Sequence, residues 1–308
     1  MAEITRREWN RLALSGLVAA ALPINCRSEN KRIDSRYNGV QIGVQSYSFR
    51  DRSLEDAIKA MVDVGLGSCE LWSEHVEPKD LLNRYYKEKD PQSRNEAREA
   101  LRRWRLNVPF DDFRTIRSKF DRAGIELYAY NLSFRDDFSD DEIERGFEMA
   151  KALGVKVMTS SSNVSTAKRI DRFAKRFKMR VGLHNHSDVG NPNEISTPES
   201  IAKAMQGTSD YIAINLDIGH FTAANFDASD FLRQHHDQIV TLHIKDRKRN
   251  QGPNVPFGNG DAPIKEVLAL LRDNKWPIPA NIEYEYDGQD TLAEVKRSLA
   301  YCKQALGA

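Results

Sequence analysis

The chain has 308 residues, 40% of them hydrophobic and 30% charged, with a formal net charge of +1. That composition excludes a disordered chain and a multi-span membrane protein, and the near-neutral charge offers no electrostatic footprint for nucleic acid or a membrane surface. The three cysteines, Cys26, Cys69 and Cys302, lie too far apart in sequence for a CxxC knuckle or a disulfide framework.

The first stretch reads TRREWNRLALSGLVAAALPINC, from Thr5 to Cys26. Paired arginines, Arg6 and Arg7, precede a short apolar run from about Leu12 to Ile24 that is too short to span a bilayer comfortably. A basic start, an apolar middle and small residues near the end are the layout of a secretory signal. TRREW resembles the twin-arginine export signal, which implies passage through the twin-arginine machinery to the periplasm or another exported location, with no stable membrane insertion after processing. Cys26 is preceded by a poor lipobox. The expectation is a signal peptide over 1–25, an irregular linker over 26–38 and one catalytic domain over 39–308. The competing reading of the first segment is a surface helix of a cytoplasmic protein.

From Val40 onward a short apolar or β-branched run ends in polar residues and a helical stretch follows, again and again. Eight such runs are legible: 40–49, 67–73, 125–134, 155–163, 179–186, 211–220, 239–246 and 280–287. The helices between them carry their own punctuation. After the first run, Ser53 reads as an N-cap and Gly65 as the stop, with Leu54, Ala57, Ile58, Met61 and Val62 at helical period. After the second, residues 77–110 are long and highly charged and read as an extra helix on the rim with a solvated face. After the fifth, Thr197 caps, Pro198 takes the first helical position and Gly207 ends the turn. Asp261 and Pro263 repeat that scheme after the seventh. In the last helix Leu292, Val295, Leu299, Cys302 and Leu306 share a face, which makes Cys302 a buried free thiol.

Strand–helix alternation argues for a parallel sheet, and eight units are the content of a (β/α)8 TIM barrel. An open doubly wound sheet is the competitor, but no Gly-rich phosphate turn follows an early run. In a barrel the chemistry collects at the C-terminal ends of the strands. His184 and His186 end the fifth run, Asp217 and His220 the sixth, His243, Lys245 and Asp246 the seventh, Glu283 and Glu285 the eighth, and Glu70 and His75 flank the end of the second. A lone histidine there is most often structural. Four consecutive strands each ending in a potential ligand are a different matter, because alternate residues share a face and one inward residue per strand converges at the mouth. His184, Asp217, His243 and Glu283 would supply two imidazoles and two carboxylates, a reasonable ligand set for a divalent transition metal. Tyr47, Trp72, Phe257 and other aromatics near strand ends are candidates for an apolar wall against a sugar.

LDIGH, then LHIKD, then FGNGD and a closing IEYE resemble the sugar phosphate isomerase/epimerase group of xylose-isomerase-like TIM barrels, and are similar to inosose dehydratases and ketosugar epimerases. The resemblance runs from about Val40 to the C-terminus. It implies metal-ligand roles for Asp217, His243 and Glu283, with Glu285 as the alternative to Glu283, and a substrate-binding role for His220. It also implies a divalent cation, with manganese the family's leaning; two imidazoles speak for zinc or cobalt, and magnesium stays open. One departure stands out. Family epimerases usually end strand five with a glutamate, and here the matching residue is His184.

The expected function is a metal-dependent sugar isomerase or epimerase working through an enediolate, with Glu283 or Glu285 as base and His184 or His186 second. His186, His220, Lys245, Trp72, His75 and Phe257 would contact the substrate. Because His184 replaces a carboxylate, β-elimination on keto-sugars or keto-glycosides is the rival reaction; a non-catalytic sugar-binding barrel is the rival class. A repair nuclease of the endonuclease-IV type is disfavoured, since strands three and four end without histidine. Oligomeric state is not legible.

Overall fold

All eight apolar runs form strands, and they close into one parallel barrel: β1 (Val40–Gln45), β2 (Ser68–Trp72), β3 (Glu126–Asn131), β4 (Val157–Ser160), β5 (Arg180–His184), β6 (Ile212–Asp217), β7 (Ile239–Ile244) and β8 (Ala280–Ile282). The computed structural model describes residues 32–288 and 290–308. Each strand pairs with the next in the chain, and β1 closes on β8 through Ile42↔Ala280, Gly43↔Asn281 and Val44↔Ile282. At Gly43 a β-carbon would stand 2.2 Å from the Asn281 side-chain oxygen, so any larger residue at this seam would have to displace the Asn281 amide. The strands are shorter than the runs read from sequence. The polar residues at the ends of the runs leave the ladder and become the loops of the mouth.

The helical layer is α1 (Leu54–Val64), α2 (Lys79–Lys87), α3 (Pro91–Asn107), α4 (Phe110–Ala123), α5 (Asp140–Ala152), α6 (Ala167–Phe177), α7 (Pro198–Met205), α8 (Ile218–Ala223), α9 (Ala228–His235), α10 (Ile264–Asn274) and α11 (Thr291–Leu306). Ser53 caps α1 through Asp56 N, and Gly65 ends it in the left-handed region. Thr197 caps α7 with Pro198 following, as expected. The scheme fails at α10: Pro263 itself is the N-cap, and Asp261 accepts from Arg249 N instead. The main apolar core lies between strands and helices and includes Val295, Leu299, Cys302 and Leu306 of α11. Cys69 and Cys302 are buried free thiols. Among the described residues, no helix is long and apolar enough to cross a membrane.

Two expectations need correction. The part of the 26–38 linker that is described is not irregular: Arg36–Tyr37 pair antiparallel with β1 across an Asn38-Gly39 turn whose φ angles are both positive. Ser35 is buried there, donating to Ile42 O and accepting from Gly67 N, so this segment is tied to the barrel. The charged insertion is two helices, not one, and α3 is more than a solvated face. Its Arg105 grips buried Glu77 through Nε and NH2 at 2.7 and 3.0 Å, and its Arg98 grips Glu142 and Asp137. The residues of the expected signal peptide lie outside the described residues.

Candidate active site

Strand alternation stacks the inward side chains in layers. Asn215 and Asp217 share the inner face of β6; Thr241, His243 and Lys245 continue one face of β7; Asn281, Glu283 and Glu285 continue one face from β8. The register Asp217↔His243 and His243↔Asn281 sets neighbouring donors side by side. The outcome is four buried residues, His184, Asp217, His243 and Glu283, whose ligand atoms all lie within 4.8 Å of one another.

The electrostatics of this group are set by burial and by close charges. Burial lowers His184 well below the ordinary histidine range, with His243 and His186 adding to the effect, so its ring is neutral and offers a lone pair. For His243 burial opposes charge, but the Glu70 and Glu283 carboxylates outweigh it and the ring keeps a proton well above its usual range. Such a ring carries both protons: Nε2–H lies 3.0 and 3.1 Å from the two Glu70 oxygens and Nδ1–H faces Glu283 at 3.2 Å, and a cation at Nδ1 would take the place of the latter proton. Burial pushes Asp217 up to about 7, against the pull of Lys245. Glu283 is ionised: burial works against it, and Lys245 and His243 hold it well below the usual carboxylate range.

Lys245 sits inside this set. Its ammonium is 3.0 Å from Asp217 Oδ2, 2.8 Å from Glu283, 2.7 Å from Glu285 and 3.0 Å from His220 Nε2, at 1% exposure. The contact with Asp217 is not aligned as a hydrogen bond, and Asp217 Oδ2 is buried without a hydrogen-bond partner. An orphaned carboxylate oxygen, a second carboxylate and two imidazole nitrogens converging in a buried space fit a divalent cation. His243 would bind through Nδ1 while Nε2–H is held by Glu70, an arrangement in which an outer carboxylate fixes the tautomer of a ligating histidine. A second group, His184, His186 and His220, could also hold an ion. It is the poorer cation site. It has no carboxylate, and His220 is pinned between Lys245 and Arg247 NH1, the latter 2.7 Å from its Nδ1. Burial and Lys245 keep His220 neutral.

Above the cluster lies a cavity of about 330 Å³ whose walls include Tyr47, Trp72, Asn131, Arg135, His186, His220 and Glu285. Among the residues expected to meet substrate, Trp72, His186 and His220 do face this space. His75 does not. Its Nε2 donates to Ser46 O at 3.0 Å, and it borders a groove between helices with Leu54 and Trp104. Phe257 packs edge-on against Tyr301 of α11, away from the mouth. Lys245 lies beneath the cavity wall and is occupied by carboxylates, so direct contact with substrate is not what it does. Glu285 turns to Lys245 and Asn254, while Glu283 joins the four-donor group. Asp246 accepts from the backbone N–H groups of Gly258, Gly260 and Ala262 and so anchors the loop after β7. His236 stacks on Trp276 at 4.2 Å, a structural role.

Of two further residues of consequence, the reading from sequence placed Glu70 only at the end of the second run, with no role, and passed over Glu194. Glu70 is fully buried and accepts from Gln45, Thr159, His243 and Asn281. Its signal was a carboxylate in the middle of an otherwise apolar strand, SCELW. Glu194 accepts from His186 Nδ1 at 2.5 Å, which leaves Nε2 of His186 for the cavity. Nothing in the NPNE segment marked it.

A sequence profile of the xylose isomerase-like TIM barrel family matches residues 58–305. The chain belongs to that family. Among curated relatives, the L-ribulose-5-phosphate 3-epimerase UlaE of Escherichia coli is 26% identical over 188 residues, which are 58% of this chain and 63% of the relative. The chain thus spans less than two thirds of that relative's length. Among solved structures, the 3-keto-D-glucoside 4-epimerase YcjR of E. coli superposes with a TM-score of 0.61 at 13% identity, covering 86% of this chain and 99% of that one. The probable 3-DHS dehydratase AsbF of Bacillus anthracis gives 0.58 at 17% identity, with coverages of 85% and 98%. These structural likenesses show the fold.

Proposed function

We propose that the protein is a divalent-metal-dependent enzyme that moves a proton beside the carbonyl of a sugar, as an epimerase or isomerase. The observation that carries this reading is the buried convergence of His184, Asp217, His243 and Glu283 beneath an open cavity. A cation held by these four would supply Lewis-acid polarisation of the sugar carbonyl and an adjacent hydroxyl. Glu283, ionised and at the cavity wall, is the base on one side. His186, oriented by Glu194 so that Nε2 faces the cavity, is the second acid–base group. Lys245 offsets the carboxylate charge around Asp217, Glu283 and Glu285 and holds Glu283 ionised. Trp72 and Tyr47, ring centroids 4.9 Å apart and edge to face, form the apolar wall.

Two groups of different kind, a carboxylate and an imidazole, allow the proton to return on the other face or to the neighbouring carbon. The same pair also suits loss of a β-oxygen substituent, and the imidazole at His184 in place of the family's carboxylate favours keeping elimination as the second reading. The test uses protein stripped by chelator and assayed on ketosugars and ketoglycosides with each divalent metal restored in turn. Solvent deuterium entering the carbon next to the carbonyl is the expected result, and its absence with every substrate and metal refutes proton abstraction. His184→Ala and Asp217→Ala should each lower bound metal; unchanged metal in both removes the ligand set. We also read Arg6 and Arg7 as an export signal. Cell fractionation of the chain against an Arg6→Lys/Arg7→Lys variant tests it, with equal cytoplasmic recovery of both as the contrary result.

A further inference from the structure

The cavity over the cluster does not stop at Trp72. A second cavity of about 560 Å³ adjoins it, and the two have Tyr47, Trp72, Glu74 and Tyr86 as common walls. The inner space alone is at the small end of the range for ligand sites, whereas the outer one is larger than the space it serves. What builds the outer cavity is α2, the first helix of the insertion that interrupts the barrel rhythm: it contributes Leu82, Asn83 and Tyr86. Tyr86 is 57% exposed, one of three large hydrophobic side chains so placed among the described residues. Core packing therefore does not explain it.

The chemistry of this outer wall is that of a carbohydrate face. Aromatic rings lie beside planar polar groups in its wall. Arg50 is held as a fixed fork, with NH1 donating to Tyr284 O at 2.7 Å and its guanidinium 4.7 Å from the Tyr47 ring centroid. Glu74 and the exposed amide of Asn83 offer acceptors and donors beside it. A sugar ring presents an apolar C–H face and a rim of hydroxyls, and it matches aromatic platforms flanked by such groups.

Building on the proton-transfer reading of the inner site, we propose that the outer cavity is a second sugar-ring subsite, so that the substrate is a glycoside: a ketosugar ring at the inner donors and an attached sugar ring against Tyr86 and Trp72. The rival ligand is a phosphate group, since Lys79 and Lys87 also border the space. The carboxyl of Glu74 in the same cavity, and the engagement of Lys79 Nζ with Arg52 O at 3.1 Å, argue against it.

The experiment is calorimetric binding to the full chain, which needs no turnover. Maltose, cellobiose and trehalose are compared with glucose, and with glucose 6-phosphate and inorganic phosphate. At least one disaccharide should bind about tenfold more tightly than glucose. Tyr86→Ala and Asn83→Ala, both at exposed positions of α2, should each collapse that ratio to below about threefold. Their folding is checked by circular dichroism, and the pair guards against one variant failing. The proposal is overturned if no disaccharide outbinds glucose, or if both variants weaken glucose and disaccharide alike. It is also overturned if a phosphate compound binds best and Lys87→Ala abolishes that binding. Deuterium uptake on a ketohexose without any disaccharide preference sinks the second subsite and spares the inner chemistry. A disaccharide preference without uptake on any substrate does the reverse.

Discussion

Glu70→Gln is the substitution that best isolates the logic of the site. Glu70 is fully buried, and its two oxygens receive Gln45 Nε2 at 2.7 Å, Thr159 Oγ1, His243 Nε2 at 3.0 and 3.1 Å, and Asn281 Nδ2 at 3.2 Å. Glutamine keeps the shape but has one acceptor oxygen and an amide that donates. At least one buried donor then loses its partner, at about 1–3 kcal/mol. His243 also loses the carboxylate that holds its proton on Nε2. A drop in melting temperature on the order of 5 °C follows for a chain of this size. The larger effect falls on the metal, because freeing the outer nitrogen of a ligating histidine costs about 10–100-fold in affinity. Calorimetric melting with and without manganese, together with metal content after equilibration in metal buffers, measures both. A Glu70→Gln protein that binds metal within about twofold of wild type would refute the idea that Glu70 orients His243 as a ligand.

Lys245→Met should make the fold depend on divalent cation. It leaves Asp217, Glu283 and Glu285 facing each other without their ammonium, a loss of about 3–5 kcal/mol in chelator, and manganese should restore part of the melting temperature; a cation-independent melt is the contrary result. Glu74→Gln should change how stability responds to pH. Burial and Glu77 push the Glu74 carboxyl up to about 7, so the folded chain binds that proton more tightly than the unfolded one, and wild-type stability falls as pH rises from about 4.5 to about 7. The glutamine variant lacks that slope and should gain about 1–2 kcal/mol on wild type across the window, after discounting for solvent screening; parallel pH–stability curves by urea unfolding would contradict this. Arg105→Leu strips buried Glu77 of its bidentate partner and should cost about 3–5 kcal/mol, while Arg105→Leu/Glu77→Leu recovers much of it. A double variant no more stable than the single one would show that packing rather than charge is at stake.

Local order in the chain determined a good deal. Eight apolar runs separated by capped helices specify a barrel because each strand must bury its faces on neighbours and helices, and because Ser53, Thr197 and Gly65 set helix ends by backbone chemistry alone. The four candidate ligands were legible for the same reason: strand ends in a barrel point to one mouth, and side-chain alternation selects Asp217, His243 and Glu283 over their immediate neighbours. What sequence could not carry is anything that depends on partners distant along the chain. Glu70 meets His243 across the barrel interior, so its task is invisible in SCELW. Glu283 and Glu285 share a strand face, and spacing favoured Glu283 without deciding it; Lys245 touches both, and what separates them is the bond from Asn254 to Glu285 and the place of Glu283 among the four donors. His75 and Phe257 sit at promising positions, yet their rings turn into the helical layer. Periodicity is a one-dimensional property and dictates the scaffold; which acid meets which base is decided by closure of the sheet, and only the folded chain decides it.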